Sequence, residues 1–414
     1  VTFTTGSYNN VVGHASLYNN STGCYNTALG NFAGNDNTTA SYNTSVGYFS
    51  LKANTTGAQN TMVGALSGDA ITTGQYNVGM GVHAVGSTTD AEGNTGLGYN
   101  SLFANTTGDH NTAVGRNSLD ANTTGADNTA VGKDALTANT TGTENVAVGV
   151  SAGAANTTTS CNTYVGQNAG AANTNGDNVA IGTAALCASG DGYQNTAVGH
   201  RAMCSNTTGF KNVAVGNQAL KSVTTGDQNT AIGSCAGDAL TTGNSNIYVG
   251  YLTDSSSGGV DAEIAIGLGI QGSGGSSVTI GSGAGIIYNN YTQNATWTQS
   301  SDRRLKNNIQ NDTLGLSFIN RLNPVTYNWK PSNEIDKNLP YYREVNEKDT
   351  DITMHGLIAQ EVKEALDIEG IDTFAGWDTR NDGVQVISRE MFITPLINAI
   401  KELKSQNEDL KSRI

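Results

Sequence analysis

Apolar and polar positions repeat along residues 1–267 with a period of 17. A glycine marks each unit, an apolar residue always precedes it, and Asn stands four residues before it in every unit but the last, which has Glu263. The one shorter interval, of 16 residues, separates Gly166 from Gly182. Such a period predicts a stack of copies of one supersecondary unit. The marking glycines are Gly13, Gly30, Gly47, Gly64, Gly81, Gly98, Gly115, Gly132, Gly149, Gly166, Gly182, Gly199, Gly216, Gly233, Gly250 and Gly267.

Each unit contains two apolar pieces separated by turn residues. A second column, four residues after the glycine, holds Leu or Gly, as at Leu17 and Gly34, and Thr-Thr-Gly often ends seven residues before the glycine, as at Gly57. We therefore expect two short strands per unit. One unit cannot bury its apolar residues alone, so stacked copies would share a core on the order of 70 Å long at about 4.8 Å per turn.

The core columns hold small residues, which makes a single-chain coil thin. Three chains packed about one axis would bury more apolar surface per residue. The predicted fold class is therefore mostly β: a parallel homotrimeric β-roll or β-prism fibre of 17-residue repeats over residues 1–267, favoured over a monomeric solenoid, followed by a small α+β module that ends in a parallel coiled coil.

The Asn columns are typical of turns and side-chain ladders, because Asn tolerates positive φ and bonds its own backbone. Triplets such as Asn54-Thr-Thr and Asn105-Thr-Thr also match the N-glycosylation pattern, but they are by-products of the repeat. Rows of Thr suggest ice binding as a further alternative. The Thr-Thr-Gly steps, however, indicate turns rather than one flat face.

A Gly/Ser-rich transition occupies residues 268–300, and an ordinary charged sequence follows from 301 to 414. In the transition, 286–288 and 291–297 predict strands that lead to Ser300. In the second part we expect a helix from Leu314 that ends before Pro324, a strand at 325–329, a polar loop or hairpin at 330–351, a strand continuing into a helix over 354–366, and a strand at 384–387.

The chain ends in a heptad seam over residues 393–414. Apolar residues at a and d positions, with a single Asn at a, predict a parallel coiled coil whose Asn fixes the register. Ile at a with Leu at d leans towards two strands, in mild conflict with a trimer. A lone amphipathic core helix is the alternative interpretation. The seam is Ile393, Leu396, Ile400, Leu403, Asn407, Leu410 and Ile414.

Charge restricts the partners. Residues 1–300 carry 6 basic and 16 acidic side chains, and the whole chain has a formal net charge of −14. An acidic, Gly-rich surface argues against nucleic acid or an anionic membrane as the partner, and no run of about 20 apolar residues could span a bilayer. The chain opens at Val1 without Met or a signal-like segment, so we expect upstream residues, including any anchoring region.

Metal and cofactor sites are not expected. The five cysteines form no CxxC pair and the five histidines are scattered, so neither zinc nor another metal is indicated. Cys187 and Cys204 are 17 residues apart and share a phase, so we expect them to stack in neighbouring turns. They are either buried small apolar residues or, in an oxidising environment, a disulfide.

Several motifs in the second part occur together in one order: Ser301-Asp302-Arg303-Arg304-Leu305-Lys306, then Leu322-Asn323-Pro324-Val325, then His355-Gly356-Leu357-Ile358-Ala359-Gln360-Glu361-Val362, then the heptads. Residues 298–414 thereby resemble the intramolecular chaperone auto-processing domain. That family lies at the C-terminus of phage tail spikes and fibres, including endosialidases, and of some membrane-bound transcription factors. The repeats resemble phage-fibre and trimeric-adhesin head repeats more loosely.

The resemblance implies that residues 301–414 trimerise, template the preceding fibre and then cut themselves off between Ser300 and Ser301. It assigns Ser301 as nucleophile and Lys306 as its base, with Asp302 and His355 as possible assisting residues. A lysine base must be neutral, which needs burial or nearby positive charge, such as Arg303 and Arg304 supply.

The spacing of the pair is informative as well. Five residues span about 500° of a helix, so Ser301 and Lys306 cannot share a helical face. The dyad needs either a bent segment or residues from neighbouring subunits. In both cases it would assemble only after folding, which would make cleavage a report on completed assembly.

The expected function is that of a phage tail fibre or spike, located on the virion, that binds a host-surface receptor, with a glycan as the expected class. A bacterial trimeric surface adhesin with the same self-cleaving module is the alternative, and would lie on the bacterial cell surface. A multi-turnover glycan hydrolase would need a carboxylate pair at fixed separation. The acidic residues of 1–300 are instead scattered through variable repeat positions.

Overall fold

The computed structural model describes residues 5–188, 190–283, 285–291, 298–299, 303–337, 339, 342–346, 350–380 and 383–414. The chain divides into two compact units, Val1–Ser300 and Ser301–Ile414. The first is a β-solenoid in which sixteen strands, β1–β16, pair in parallel and in register from one turn to the next. Partners lie 17 residues apart, except between β10 and β11, where Thr163 pairs with Val179.

The repeat strands are three residues long, except the five-residue β16. They are Asn10–Val12, Thr27–Leu29, Thr44–Val46, Thr61–Val63, Val78–Met80, Thr95–Leu97, Thr112–Val114, Thr129–Val131, Val146–Val148, Thr163–Val165, Val179–Ile181, Thr196–Val198, Val213–Val215, Thr230–Ile232, Ile247–Val249 and Ile264–Leu268.

Each turn contains one strand, so the expectation of two strands per unit is wrong. The second apolar piece curls because two of its residues adopt left-handed backbone conformations, as at Ala15 (φ 53°) and Leu17 (φ 47°). Its N–H groups still bond to the neighbouring turn, as from Leu17 to the Ala33 carbonyl at 2.9 Å. These bonds offset the roughly 1–2 kcal/mol that each left-handed residue costs.

The interior of the solenoid is filled from within one chain. The middle residue of each strand and the column four residues after the glycine both point inward, and Ala113, Ala130, Leu119 and Leu136 are fully buried. The small residues therefore fill a core that a single chain closes by itself. Association of three such coils is a separate prediction.

The alternation of Leu and Gly in that column follows side-chain volume. Tyr164 occupies the middle of its strand with no exposed surface. The neighbouring column positions are Gly153 and Gly170, and a Cβ at either would overlap the Tyr164 ring. Where the strand position is Ala, the column is filled by residues such as Leu119 and Leu136.

Two ladders of buried Asn side chains hold neighbouring turns together. In the first, the N–H of Asn111 donates to Oδ1 of Asn94 at 2.9 Å, and its Nδ2 donates to the Gly125 carbonyl at 2.8 Å. In the second, Nδ2 of Asn122 donates to Oδ1 of Asn105 at 2.8 Å. The predicted ladder is confirmed. Because Asn54 and Asn105 are fully buried, the folded solenoid leaves no room for a glycan on either.

The repeat ends at a buried carboxylate. Glu263 takes the ladder position of Asn, and its N–H donates to Oδ1 of Asn246 at 2.8 Å. Its carboxylate accepts bonds from the Tyr248 hydroxyl at 3.0 Å, the Ser256 N–H at 3.0 Å and the Gly274 N–H at 2.8 Å. These donors compensate part of the cost of burying the charge.

Three further strands follow. They are β17 (Ser277–Ser282), which is parallel to β16, then β18 (Gly285–Asn290) and β19 (Thr298–Gln299), each antiparallel to the strand before it. The strand predicted at 286–288 lies within β18. Of the strand predicted at 291–297, residues 292–297 lie outside the described residues.

The second unit is a small α/β module. Its helices are α1 (Leu316–Arg321), α2 (Ala359–Ile368) and α3 (Ile393–Ser412), and its antiparallel strand pairs are β20 (Val325–Tyr327) with β21 (Met354–Gly356), and β22 (Trp377–Thr379) with β23 (Gln385–Ile387). Short 3₁₀ turns occupy Arg303–Leu305, Ser332–Glu334 and Arg389–Phe392. The order of the predicted elements is confirmed, with boundaries shifted by a few residues.

The module core is aromatic and aliphatic. Leu314, Phe318, Val362, Leu366 and Phe392 are buried together. The rings of Phe318 and Phe392 stack with centroids 6.2 Å apart. This core joins α1, α2 and the start of α3, and so connects the sequence motifs that lie far apart in the chain.

Helix α3 presents its heptad seam to solvent. Ile400 is 65% exposed and Leu410 58%, whereas Pro395 and Ala399 are the buried residues of the helix. The seam is therefore not the face that packs on the module, contrary to the alternative of a lone core helix. Within the described ranges, none of the helices is both long and apolar enough to cross a bilayer.

Candidate functional site

The predicted cleavage residues Ser300, Ser301 and Asp302 lie outside the described residues, so their roles stay predictions. The description resumes at a 3₁₀ turn, Arg303–Leu305, closed by a hydrogen bond of 3.2 Å from the Lys306 N–H to the Arg303 carbonyl. Residues 303–306 thus form a 3₁₀ turn rather than a turn of α-helix.

Lys306 lies on an exposed stretch, as do all residues from 303 to 310. A lysine acts as a general base only as the neutral amine, a form that burial favours, so a base at this position needs a further surface to cover the segment. The adjacent arginines, Arg303 and Arg304, add positive charge, which favours the neutral amine once water is excluded.

His355 lies on β21, opposite Thr326 of β20, and is exposed. It lines an open pocket of about 390 Å³ together with Leu322, Pro324 and Phe392. The pocket brings together two motifs singled out in the sequence, the one that begins at Leu322 and the one that begins at His355. They meet because β20 and β21 pair directly.

Arg389 is a candidate that the sequence did not reveal. It lines both this pocket and a neighbouring one of about 690 Å³ bounded by Tyr327, Trp329 and Gln360. A lone Arg outside any recognised motif carries no sequence signal. Only the folded structure shows its position, because the 3₁₀ turn before α3 places it beside β21.

A polar cluster fixes α1 against the end of α2. The Ser317 hydroxyl and the Arg321 Nε both donate to Oε1 of Glu369, at 2.7 and 2.9 Å. These two hydrogen bonds hold the pKa of Glu369 below its ordinary value. The cluster joins both ends of the segment that contains β20 and β21.

A second cluster joins α1 to α3. The Glu402 carboxylate accepts the N–H of Leu316, in the first turn of α1, at 3.0 Å. Nδ2 of Asn398 donates to the carbonyls of Asp312 and Leu314, at 3.1 and 3.0 Å. Since a carboxylate is favourable at a helix N-terminus, Glu402 supplies the cap that α1 lacks in its own sequence.

The cysteine pair in the solenoid lies as the repeat predicts. Sγ of Cys187 and Sγ of Cys204 are 2.9 Å apart in adjacent turns, and both residues are half-buried free thiols. In the part of the chain that the structure describes, no group of three or more His, Cys, Asp and Glu side chains is placed to hold a metal ion.

Comparison with known proteins assigns a family to part of the module. Neither the curated proteins nor the solved structures include a match to the chain. A family model does match residues 301–371, the segment from the predicted nucleophile to just beyond α2. That family is Peptidase S74, the chaperone of endosialidase, so this segment is similar to a chaperone domain of the self-cleaving serine-peptidase type.

Proposed function

We propose that three copies of the chain assemble through the module and that the module then releases itself by cutting between Ser300 and Ser301. Ser301 acts as nucleophile and Lys306 as its base. The family match to residues 301–371 supports the chaperone and peptidase roles. The product is a fibre made of the solenoid.

The observation that carries the proposal is the exposed apolar seam of α3. Ile393, Ile400 and Leu410 are each more than half exposed, at 56%, 65% and 58%. A row of such residues at heptad spacing is typical of a helix that packs against other helices in a coiled coil. A parallel bundle of α3 helices from three chains covers it, with Asn407 fixing the register.

The state of Lys306 supports cleavage after assembly. In one chain the residue lies on an exposed stretch, whereas a lysine base works as the neutral amine, which burial favours. Association would exclude water from the segment and favour the neutral amine, with Arg303 and Arg304 adding to the effect. Cleavage then reports that the trimer has formed.

Release of the module has a physical purpose. Assembly of three solenoids requires three chains in one register, and a bundled module raises their local concentration in that register. Once the module has left, the easiest refolding route is gone. The mature rod then persists because its unfolding is slow and hard to reverse.

We further propose that the mature fibre attaches to a host-surface receptor, with a glycan as the expected ligand class, and that it belongs to a phage tail. Its acidic solenoid suits neither nucleic acid nor an anionic membrane. Probing a glycan array with the cleaved fibre tests this. Binding to no glycan, together with binding to a host-surface protein, would contradict the ligand class.

The cleavage is tested with single substitutions in the full chain. Ser301→Ala and Lys306→Arg should each give one band of 42.8 kDa on a denaturing gel, where the wild type gives two. Lys306→Arg keeps the positive charge but removes a group that can act as a base. Lys330→Arg, a matched change elsewhere in the module, should cleave normally. Normal cleavage of Ser301→Ala would overturn the proposal.

Mixing two inactive variants shows whether the dyad spans chains. Co-expressed Ser301→Ala and Lys306→Ala chains should produce cleavage of the Lys306→Ala chain if its Ser301 meets the Lys306 of a neighbour. No cleavage in mixed trimers would place both residues of a dyad in one chain. Native mass spectrometry confirms that mixed trimers form.

A further inference from the structure

The apolar column just before each glycine points out of the solenoid. Strands β2–β15 bury their middle residue, and β16 buries Ala265. The first and third residues of all sixteen strands face outward, and the third is always Val, Leu, Met or Ile. Val12 is 64% exposed, Met80 48% and Ile232 45%. We define the strand-face stripe as the first and third residues of the first fifteen strands, together with Ile264 and Ile266 of β16.

The single-chain fold does not account for this stripe. The interior is already closed by the middle strand residues and the Leu/Gly column, so an outward Val contributes little to that core. Outward positions of a solvated sheet normally alternate to polar residues. Here the first residue is usually Thr, but the third is never polar in any of the sixteen turns. An apolar residue at every one of these outward positions indicates a surface that another molecule covers in the functional assembly.

The distribution of charge gives an independent indication. Residues 1–300 contain 22 charged side chains, 16 acidic and 6 basic, and none of them lies on the stripe. Apart from the buried Glu263, they lie off the stripe, as Arg116, Lys133 and Asp134 do. Charges are depleted where a surface becomes dry on association, because burying an unpaired charge is costly.

We infer that the strand-face stripe is the surface along which copies of this solenoid pack side by side in the fibre. This inference rests on the proposed assembly of three chains and adds the face that holds the mature rod together. A second copy is the occupant with the matching period. Its turns repeat at the same spacing, so each apolar row meets an identical row along the whole length.

The size of the stripe fits such an interface. Sixteen turns at about 4.8 Å each, and a width of about 10 Å for two outward residues, give on the order of 700–800 Å² per chain, close to the area of a standard stable interface. Burial of these partly exposed Val, Leu, Ile and Met side chains over that area would retain the trimer after the module has left.

The test uses the cleaved product of the full chain, so that the module no longer contributes. The double variant Ile181→Lys/Val215→Lys places two charges on the stripe, at positions 39% and 36% exposed. The control Thr183→Lys/Asn217→Lys places the same charges in the same two turns, two residues further along the chain, at exposed positions off the stripe. Sedimentation or native mass spectrometry measures the mass.

We expect all three proteins to be cleaved, because α3 still assembles them. Wild type and control should keep the mass of a trimer, while the measured mass of the stripe variant should be about three-fold lower, that of a monomer. Circular dichroism should show the same solenoid signal in all three. Should the stripe variant lose that signal, the milder Ile181→Thr/Val215→Thr pair replaces it, and is expected to dissociate at a higher concentration than wild type.

The outcomes separate this inference from the proposed function. A wild type that is cleaved but monomeric, or a stripe variant that stays trimeric, overturns the stripe while leaving assembly and cleavage intact. Chains that never trimerise before cleavage overturn the proposed function itself.

Discussion

Gly115 lies directly against Gly132 of the next turn, and a Cβ atom on Gly115 would stand 2.5 Å from the Gly132 carbonyl oxygen. Its φ of +132° is also one that side-chain-bearing residues rarely adopt. The same relationship holds from turn to turn along the glycine column. It explains why the period is marked by glycine rather than by another small residue.

Gly115→Ala should therefore destabilise the solenoid by about 2–6 kcal/mol, from backbone strain and overpacking together. Chemical denaturation of the cleaved fibre, followed by circular dichroism, measures the change. The control is Gly190→Ala, where the nearest atom to an added Cβ is the Thr207 carbonyl oxygen at 3.4 Å. It should change stability by no more than about 0.5 kcal/mol. Equal effects of the two substitutions would contradict the steric explanation.

Tyr164 and Tyr248 are both buried at the middle position of a repeat strand, so they can be compared directly. In the described part of the chain the Tyr164 hydroxyl has no hydrogen-bond partner, whereas the Tyr248 hydroxyl donates to Glu263 at 3.0 Å. Burial raises the pKa of both phenols, so both stay protonated. The same substitution at the two sites should have opposite effects.

Tyr164→Phe removes an unsatisfied polar group and should stabilise the solenoid by about 1 kcal/mol or more. Tyr248→Phe removes a donor to a buried carboxylate and should cost about 1.5–3 kcal/mol. Thermal unfolding of the two variants beside wild type gives the signs. A loss of stability in Tyr164→Phe similar to that in Tyr248→Phe would mean that the Tyr164 hydroxyl is paired after all.

The sequence predicts the stacking of turns because the backbone geometry allows only one residue type at certain repeat positions. Gly115 has no substitute at its φ, and Asn111 bonds two neighbouring turns at once, so both repeat almost without exception. The left-handed conformation of Leu17 could not be predicted, because Leu is not typical of that region and only hydrogen bonds between turns stabilise it there. Two strands per unit were expected for that reason.

The direction in which a strand residue points, inward or outward, is the second feature that the sequence could not predict. An always-apolar column such as Val114 indicates a core position by pattern alone, yet the structure places it outside, beside Ala113, which is buried. A three-residue strand is too short for alternation to reveal which phase faces inward. At the module, the motif order predicts the family, while Arg389 joins the His355 pocket only through tertiary packing.

The thiols of Cys187 and Cys204 should form a disulfide when a disulfide oxidant such as oxidised glutathione is added. Their Sγ atoms are 2.9 Å apart, and burial, with the neighbouring thiol, raises the pKa of Cys187 to about 11. Because the thiolate is the attacking species, oxidation should be slow near pH 7 and speed up as the pH rises towards 11. Intact mass after alkylation measures it.

The bond closes a 17-residue loop between adjacent turns and should stabilise the solenoid by about 3 kcal/mol. Cys204→Ser is the control, and its Cys187 should give only a mixed disulfide with glutathione. If both thiols of the folded wild type remain open to alkylation after oxidation at pH 9, the two turns are not held as the structure has them.

The Ser317–Arg321–Glu369 cluster should make the stability of the module depend on pH in the acid range. The hydrogen bonds from Ser317 and Arg321 lower the pKa of Glu369 below its ordinary 4.5. The stabilisation is therefore complete above about pH 4.5 and is lost as the pH falls through the lowered value, because the unfolded chain takes up the proton first.

Glu369→Gln should consequently unfold more easily than wild type at pH 7, and the difference should shrink as the pH falls below 4.5. Both proteins carry Ser301→Ala so that the module stays attached. Fluorescence follows its unfolding, because Trp329 and Trp377 lie in the module. Glu364→Gln, an exposed position on α2, is the control and should match wild type at pH 7. If the difference in free energy of unfolding between Glu369→Gln and wild type stayed constant from pH 7 to pH 3, the carboxylate would not be stabilised by its partners.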